Sequence, residues 1–266
     1  MDNELLKSYI DLRLNGNYVD QVRRTLVAEG PQIVIPTLRM TLSALKYWGG
    51  ELALLFMKPS AWPFKPDTSD GGYQVRKNRQ WFELEAGDAI DVINDRIHVL
   101  MAEIASSSFQ HGKMVGEQML IALTDKDENV RAWVTIHSIA DGIPSYIVSD
   151  RLVRLLFHDD DPLTRIGAAL AMFRLDDMPE RILSESAKHV MGFLEGDYGA
   201  FKAFPELVNK IRQRRYNLSE SDQNWIIATL AVYRMLAVRL FDKGTDRSLS
   251  ASWDSAQFPK TSRGPI

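Results

Sequence analysis

Apolar residues recur along most of the chain at the spacing of one buried helix face. Leu5, Leu6, Tyr9, Ile10 and Leu12 form a short amphipathic set. Asn15-Gly16-Asn17 interrupts it, because asparagine and glycine accept the left-handed backbone found at helix ends. A second helix is expected from Tyr18 to Glu29. Gly30-Pro31 closes it and opens a third, with glycine past one helix and proline in the first turn of the next. Ile33, Ile35, Leu38, Leu42 and Leu45 carry that third helix toward Trp48, and Gly49-Gly50 reads as its end.

The rhythm fails between about residues 58 and 85. Pro59, Pro63, Pro66, Gly71 and Gly72 forbid a continuous helix there. The same stretch concentrates Trp62, Phe64, Tyr73, Trp81 and Phe82, with Arg76, Lys77 and Arg79 among them. Two readings stand: short strands at 74–76 and 80–84, or a loop ordered by its own aromatic groups. Either makes it an insertion in a helical chain. Long structured insertions often carry contacts, and tryptophan, tyrosine and arginine are favoured in binding hot spots.

Helical periodicity resumes near Ala86 and continues to about residue 243. Ser219 stands where its hydroxyl can cap the amide of Asp222, opening a helix that contains Trp225 to Phe241. Residues 244–266 lack periodicity and are rich in serine, so a flexible tail is expected. Trp253 and Phe258 are its two large aromatic groups, available for packing back or for docking into a partner.

Composition narrows the function classes. The 266 residues carry 32 basic and 35 acidic side chains, a net charge of −3, so no broad field for nucleic acid or anionic membrane is expected. There is no cysteine, which removes disulfides, thiolate catalysis and cysteine-based metal sites. The most apolar run, Trp225 to Phe241, contains Arg234 and Arg239 and is too short and charged for a membrane span. The first residues do not read as a secretory signal, and a cytoplasmic location with no membrane association is expected.

An internal repeat lies between Leu120 and Leu175. Arg131 aligns with Arg165 at an offset of 34 residues, and the same offset puts Asp125 on Asp159, Asp127 on Asp161 and Val134 on Ala168. Each copy has an apolar helix end, an acidic turn, then a helix opening on a β-branched residue and arginine. This resembles the HEAT-repeat family of helical hairpins. Leu123, Asp127, Val130 and Arg131 match its pattern in the first copy, and Leu156, Asp161, Pro162, Arg165, Ala168, Ala169 and Ala171 in the second. The resemblance implies an all-α, HEAT-like solenoid of stacked hairpins over residues 1–243. Each hairpin would bury its apolar face only against its neighbours. Asp127 and Asp161 suit helix capping, and Arg131 and Arg165 would reach acidic turns to form a ladder.

Candidate chemistry is sparse. His98, His111, His137, His158 and His189 show no helical zinc spacing, and His158 beside Asp159-Asp160-Asp161 reads as caps and solvated charge. No phosphate loop, dinucleotide fingerprint or nucleophile elbow occurs, so no catalytic residue, metal or cofactor is assigned. Asp88, Asp91 and Asp95 read as the wet stripe of a helix. Lys210, Arg212, Arg214 and Arg215 suit a helix C-terminus, or contact with phosphate or an acidic partner. The expectation is therefore a non-enzymatic protein-binding scaffold, adaptor or immunity-type inhibitor using a curved helical face and the aromatic loop. The alternative is a nucleic-acid-binding protein or enzyme of the HEAT-like DNA glycosylase kind.

Overall fold

Helices make up almost all of the computed structural model, which describes residues 3–10, 16–56, 73–77, 80–84, 86–197 and 199–242. In chain order they are α1 (Asn3–Ile10), α2 (Gly16–Glu29), a 3-10 turn (Pro31–Ile33), α3 (Val34–Phe56), α4 (Ala86–Ser106), α5 (Phe109–Ala122) and α6 (Glu128–His137). Then follow α7 (Ser145–His158), α8 (Pro162–Met172), α9 (Glu180–Glu195), α10 (Ala200–Ala203), α11 (Pro205–Arg214) and α12 (Glu220–Asp242). Between α3 and α4, strands β1 (Tyr73–Lys77) and β2 (Gln80–Leu84) pair antiparallel, with Val75 opposite Phe82 and Arg76 opposite Trp81. Among the described residues no helix is long and apolar enough to cross a membrane.

The third helix runs straight through Gly49-Gly50 to Phe56 instead of ending there. A glycine inside a helix costs only about 1 kcal/mol relative to alanine, and α3 lies along the 23-residue α12. Tertiary packing overrides the local break.

Two successive hairpins stack in the middle of the molecule. Helix α5 packs on α7, α6 on α8, and α7 closes on α8. Gly167 makes the α6–α8 approach possible, since a Cβ there would stand 1.9 Å from Thr135 Oγ1. Gly142 turns the chain into α7 with φ of +84°, so tight against Ser106 that a Cβ would lie 2.6 Å from its backbone nitrogen. The preceding carbonyl, Asp141 O, accepts from Ser106 Oγ at 3.2 Å and ties the turn to the end of α4.

Helix α12 then returns across the stack. It contacts α3, α4, α6, α8 and α9. Ile227, Ala228, Ala231, Val232, Leu236 and Ala237 are fully buried along it. Three layers result: α5 with α7, then α6 with α8, then α12. At the amino-terminal side, Tyr9 and Arg96 exchange hydrogen bonds with each other's backbone carbonyls at 2.8 Å, joining α1 to α4.

Candidate functional site

Two polar constructions stand out, one at the turns of the stacked hairpins and one inside the α4–α6–α12 junction. The turns come first. Asp127 and Asp161 are the N-cap residues of α6 and α8. Asp127 Oδ1 accepts from the Asn129 amide at 2.9 Å, and Asp161 Oδ2 accepts from the Thr164 amide at 2.8 Å and its hydroxyl at 2.7 Å. These bonds satisfy amides that the helix leaves without partners. Two residues earlier, Asp125 accepts the Asp127 amide and Asp159 the Asp161 amide, each at 2.9 Å. The local backbone is thus built twice.

Arg131 and Arg165 occupy the same place on α6 and α8. Arg131 donates to the carbonyl of Asp125 at 2.9 Å, and Arg165 to that of Asp159 at 3.2 Å. Arg131 also crosses between the hairpins. Its Nε and Nη2 donate to the two oxygens of Asp159 at 2.8 and 2.9 Å, a bidentate pair. Those bonds hold the Arg131 guanidinium above its ordinary range. From the third layer, Arg239 of α12 pairs with both oxygens of Asp161.

The buried junction is of a different kind. His137, at the end of α6, is almost fully buried and accepts from or donates to Tyr233 Oη of α12 at 3.1 Å. Trp133 packs edge-on against both, with ring centroids 4.4 Å from His137 and 5.0 Å from Tyr233. His98 of α4 lies 6.5 Å from the His137 ring, and Arg174, just past α8, reaches His98 Nε2 at 3.4 Å. Burial, reinforced by His98 and Arg174, holds His137 well below its usual range. Neutral His137 has one proton, so Tyr233 can donate to Nε2 while Nδ1 carries that proton. Burial likewise raises the Tyr233 hydroxyl well above 10.

Two turns back along α4 from His98, Asp91 meets Arg234 of α12 at 3.3 Å, and both are largely buried. This departs from the wet stripe expected for Asp91. Its other oxygen has no hydrogen-bond partner, and burial pushes its carboxyl up to about 6 despite the nearby guanidinium. Asp95 remains exposed on that helix, its carboxyl also raised by burial and partly restored by Arg215. Among the described residues no cluster of three or more histidine or acidic side chains is arranged to hold a metal.

The remaining sequence candidates are scattered. Trp62, Phe64, Arg79, Trp253 and Phe258 lie outside the described residues, as does the 244–266 segment. Tyr73, Arg76 and Lys77 fall on β1, and Trp81 and Phe82 on β2. Lys210, Arg212 and Arg214 lie on α11, with Arg215 at its C-cap. Arg212 stacks over the Phe201 ring at 5.4 Å, which gives it an internal role.

Sequence reasoning missed His98, Arg174, Tyr233 and Arg239 as partners in these constructions. Arg234 and Arg239 did carry a signal. Charged residues inside an otherwise apolar helix need buried partners. A separate feature marks the α5–α7 layer, where Phe109, Ile121 and Tyr146 are 75%, 60% and 66% exposed. No protein-family model, curated protein or solved structure matches this chain.

Proposed function

We propose that this chain is a HEAT-like helical-hairpin array that works as a non-enzymatic protein-binding scaffold, adaptor or inhibitor. The observation that carries the reading is the exposure of Phe109, Ile121 and Tyr146 on the layer that faces away from α12. Large apolar side chains gain nothing from water and supply contact area to a partner at low entropic cost. The face of α6 and α8 that a curved array would offer is already covered by α12. The contact surface therefore shifts to α5 and α7, with the aromatic segment between α3 and α4 as a second contact.

The test is affinity purification of the full chain from its native cells, with wild type beside a Phe109→Ser, Tyr146→Ser variant. A stoichiometric protein partner, lost by the variant at unchanged melting temperature, is the expected result. Retention of every partner by the variant would remove the outer face from the reading. Deleting residues 66–77 asks the same question of the insertion. Tight nucleic-acid binding that weakens steeply with salt would favour the glycosylase-like alternative instead.

A further inference from the structure

Three arginines that reach into the stack from α6 and α12 each meet an aspartate: Arg131 with Asp159, Arg234 with Asp91 and Arg239 with Asp161. Arg174, just past α8, is also held partly out of water, yet it meets no carboxylate among the described residues. Its one hydrogen-bond contact there is with His98 Nε2, long at 3.4 Å. A neutral imidazole supplies one acceptor and no counter-charge, so most N–H groups of the guanidinium stay open. Burial lowers Arg174 below the ordinary arginine range, offset only in part by Tyr233 and Asp141. It lowers His98 as well, with Arg174 adding to the effect. Two more donors stand open in the same cluster. With Tyr233 donating to His137 Nε2, the ring proton sits on Nδ1, and this buried nitrogen has no partner. Trp133 Nε1 is likewise buried and unpartnered, on a ring 4.4 Å from that of His137. The imidazole acceptors are already engaged, His137 Nε2 with Tyr233 and His98 Nε2 with Arg174. The junction holds more donors than it can satisfy from within.

We propose that the cluster of Arg174, His98, His137 and Trp133 is a binding site for a carboxylate group, gripped by Arg174 beside His98. Arg174 and His98 are half-buried and give entry from solvent, while His137 and Trp133 are buried. A carboxylate only accepts hydrogen bonds, and it carries the charge that the other three arginines find in an aspartate. A guanidinium takes both of its oxygens at once, as Arg131 takes those of Asp159. Water brings as many donors as it accepts and no charge, so it answers neither need. The carbonyl ends of α6 and α8 lie at the same place, and Asp141 acts on both Arg174 and His98. That negative potential makes a singly charged carboxylate a better fit than a phosphate dianion. The site belongs to the α4–α6–α12 junction, so its test is independent of the outer apolar face.

The experiment follows the purified full chain by NMR at neutral pH during titration with sodium acetate or sodium benzoate. Sodium chloride at equal ionic strength and sodium phosphate are the comparisons. Saturable shifts of the His98 ring, the Arg174 Nε–H and the Trp133 indole N–H are expected with acetate and benzoate, and none with chloride. Arg174→Gln should weaken binding about tenfold, the loss of one charge-assisted contact. Arg214→Gln, at an exposed arginine of α11, should bind as wild type does. A peptide with a free C-terminal carboxylate, beside its amide, separates two sources of the group. Binding tighter than acetate by the free form alone assigns the site to a chain end, and binding no tighter assigns it to a free acid. Chloride shifts equal to those of acetate, phosphate binding tighter than either carboxylate, or unchanged binding by Arg174→Gln would overturn the proposal. A crystal structure grown with acetate that shows only water against Arg174 would do the same. If Arg174→Gln fails to fold, Arg174→Lys keeps the charge and loses the two-point grip, and it too should weaken binding.

Discussion

The Arg131–Asp159 pair at the turns and the Arg234–Asp91 pair in the junction join the same two chemical groups with opposite results. At the turns, both guanidinium edges and both carboxylate oxygens are engaged, and the same groups hold the Asp125 carbonyl and the Asp161 amide. In the junction there is one contact at 3.3 Å, and one Asp91 oxygen is left without a partner. Each pair is mostly out of water. What separates them is how completely the charges are hydrogen-bonded. Taking a charge from water carries a desolvation cost, which geometry at the turns offsets and geometry in the junction does not.

The largest expected effect breaks the complete pair. Arg131→Ala leaves Asp159 nearly buried and uncompensated and frees the carbonyls of Asp125 and Lys126, so it should cost about 3–4 kcal/mol in urea unfolding. Arg131→Lys should recover less than half of that, because lysine cannot supply the bidentate geometry.

A sharper test replaces both members of each pair with apolar residues. Asp91→Leu with Arg234→Met should be neutral or stabilising by about 1–3 kcal/mol at pH 7. Asp159→Leu with Arg131→Met should instead destabilise by about 2–3 kcal/mol, because it also removes the turn bonds. Equal outcomes for the two doubles would erase the distinction.

The pH dependence separates the regions further. The Asp91 carboxyl is raised from 3.8 to about 6, so the folded chain binds its proton more tightly than the unfolded chain does. Its contribution is fully present below about pH 3.8 and is lost as pH rises through 6, at most about 3 kcal/mol. His137 has the opposite sign. Its folded value lies below 6.5, so the stability of the neutral ring is present above that pH and is lost as pH falls below it. Asp91→Asn should remove the first slope and His137→Gln the second, both read from unfolding curves between pH 4 and 8. The smallest effect concerns the first turn: Asp125→Asn should change stability by less than about 0.5 kcal/mol, whereas Asp159→Asn should cost about 1–2 kcal/mol.

The helical character and the turns were legible because they are local. The Asp-x-Asp spacing, the Val-Arg opening and the Ser219 cap all lie within one helical turn of what they satisfy. Ser219 does receive the Asp222 amide at 3.1 Å. The junction was not legible, because His98, His137, Arg174 and Tyr233 come from four distant places in the chain. Asp91 shows the cost of reading one helix alone. Its i, i+3, i+7 spacing with Asp88 and Asp95 signals a polar face, but a polar face can look toward a buried arginine as well as toward water. Gly49-Gly50 misled for a related reason, since nothing nearby in sequence announces that α12 will lie along α3.

That return of α12 onto α3 also sets how the molecule folds. A stack of hairpins held only by neighbours can zip up from any point and fray from either end. Here the long helix α3 finds its partner in the last described helix, so segments far apart in the chain must meet before the core closes. Such long-range closure raises contact order and slows folding. During synthesis, the buried sides of α3, α6 and α8 stay uncovered until Asp242 has been made. Uncovered apolar surface of that kind favours aggregation. Once closed, the helix fastens the ends of the stack together, and the hairpins gain or lose their structure as one cooperative body.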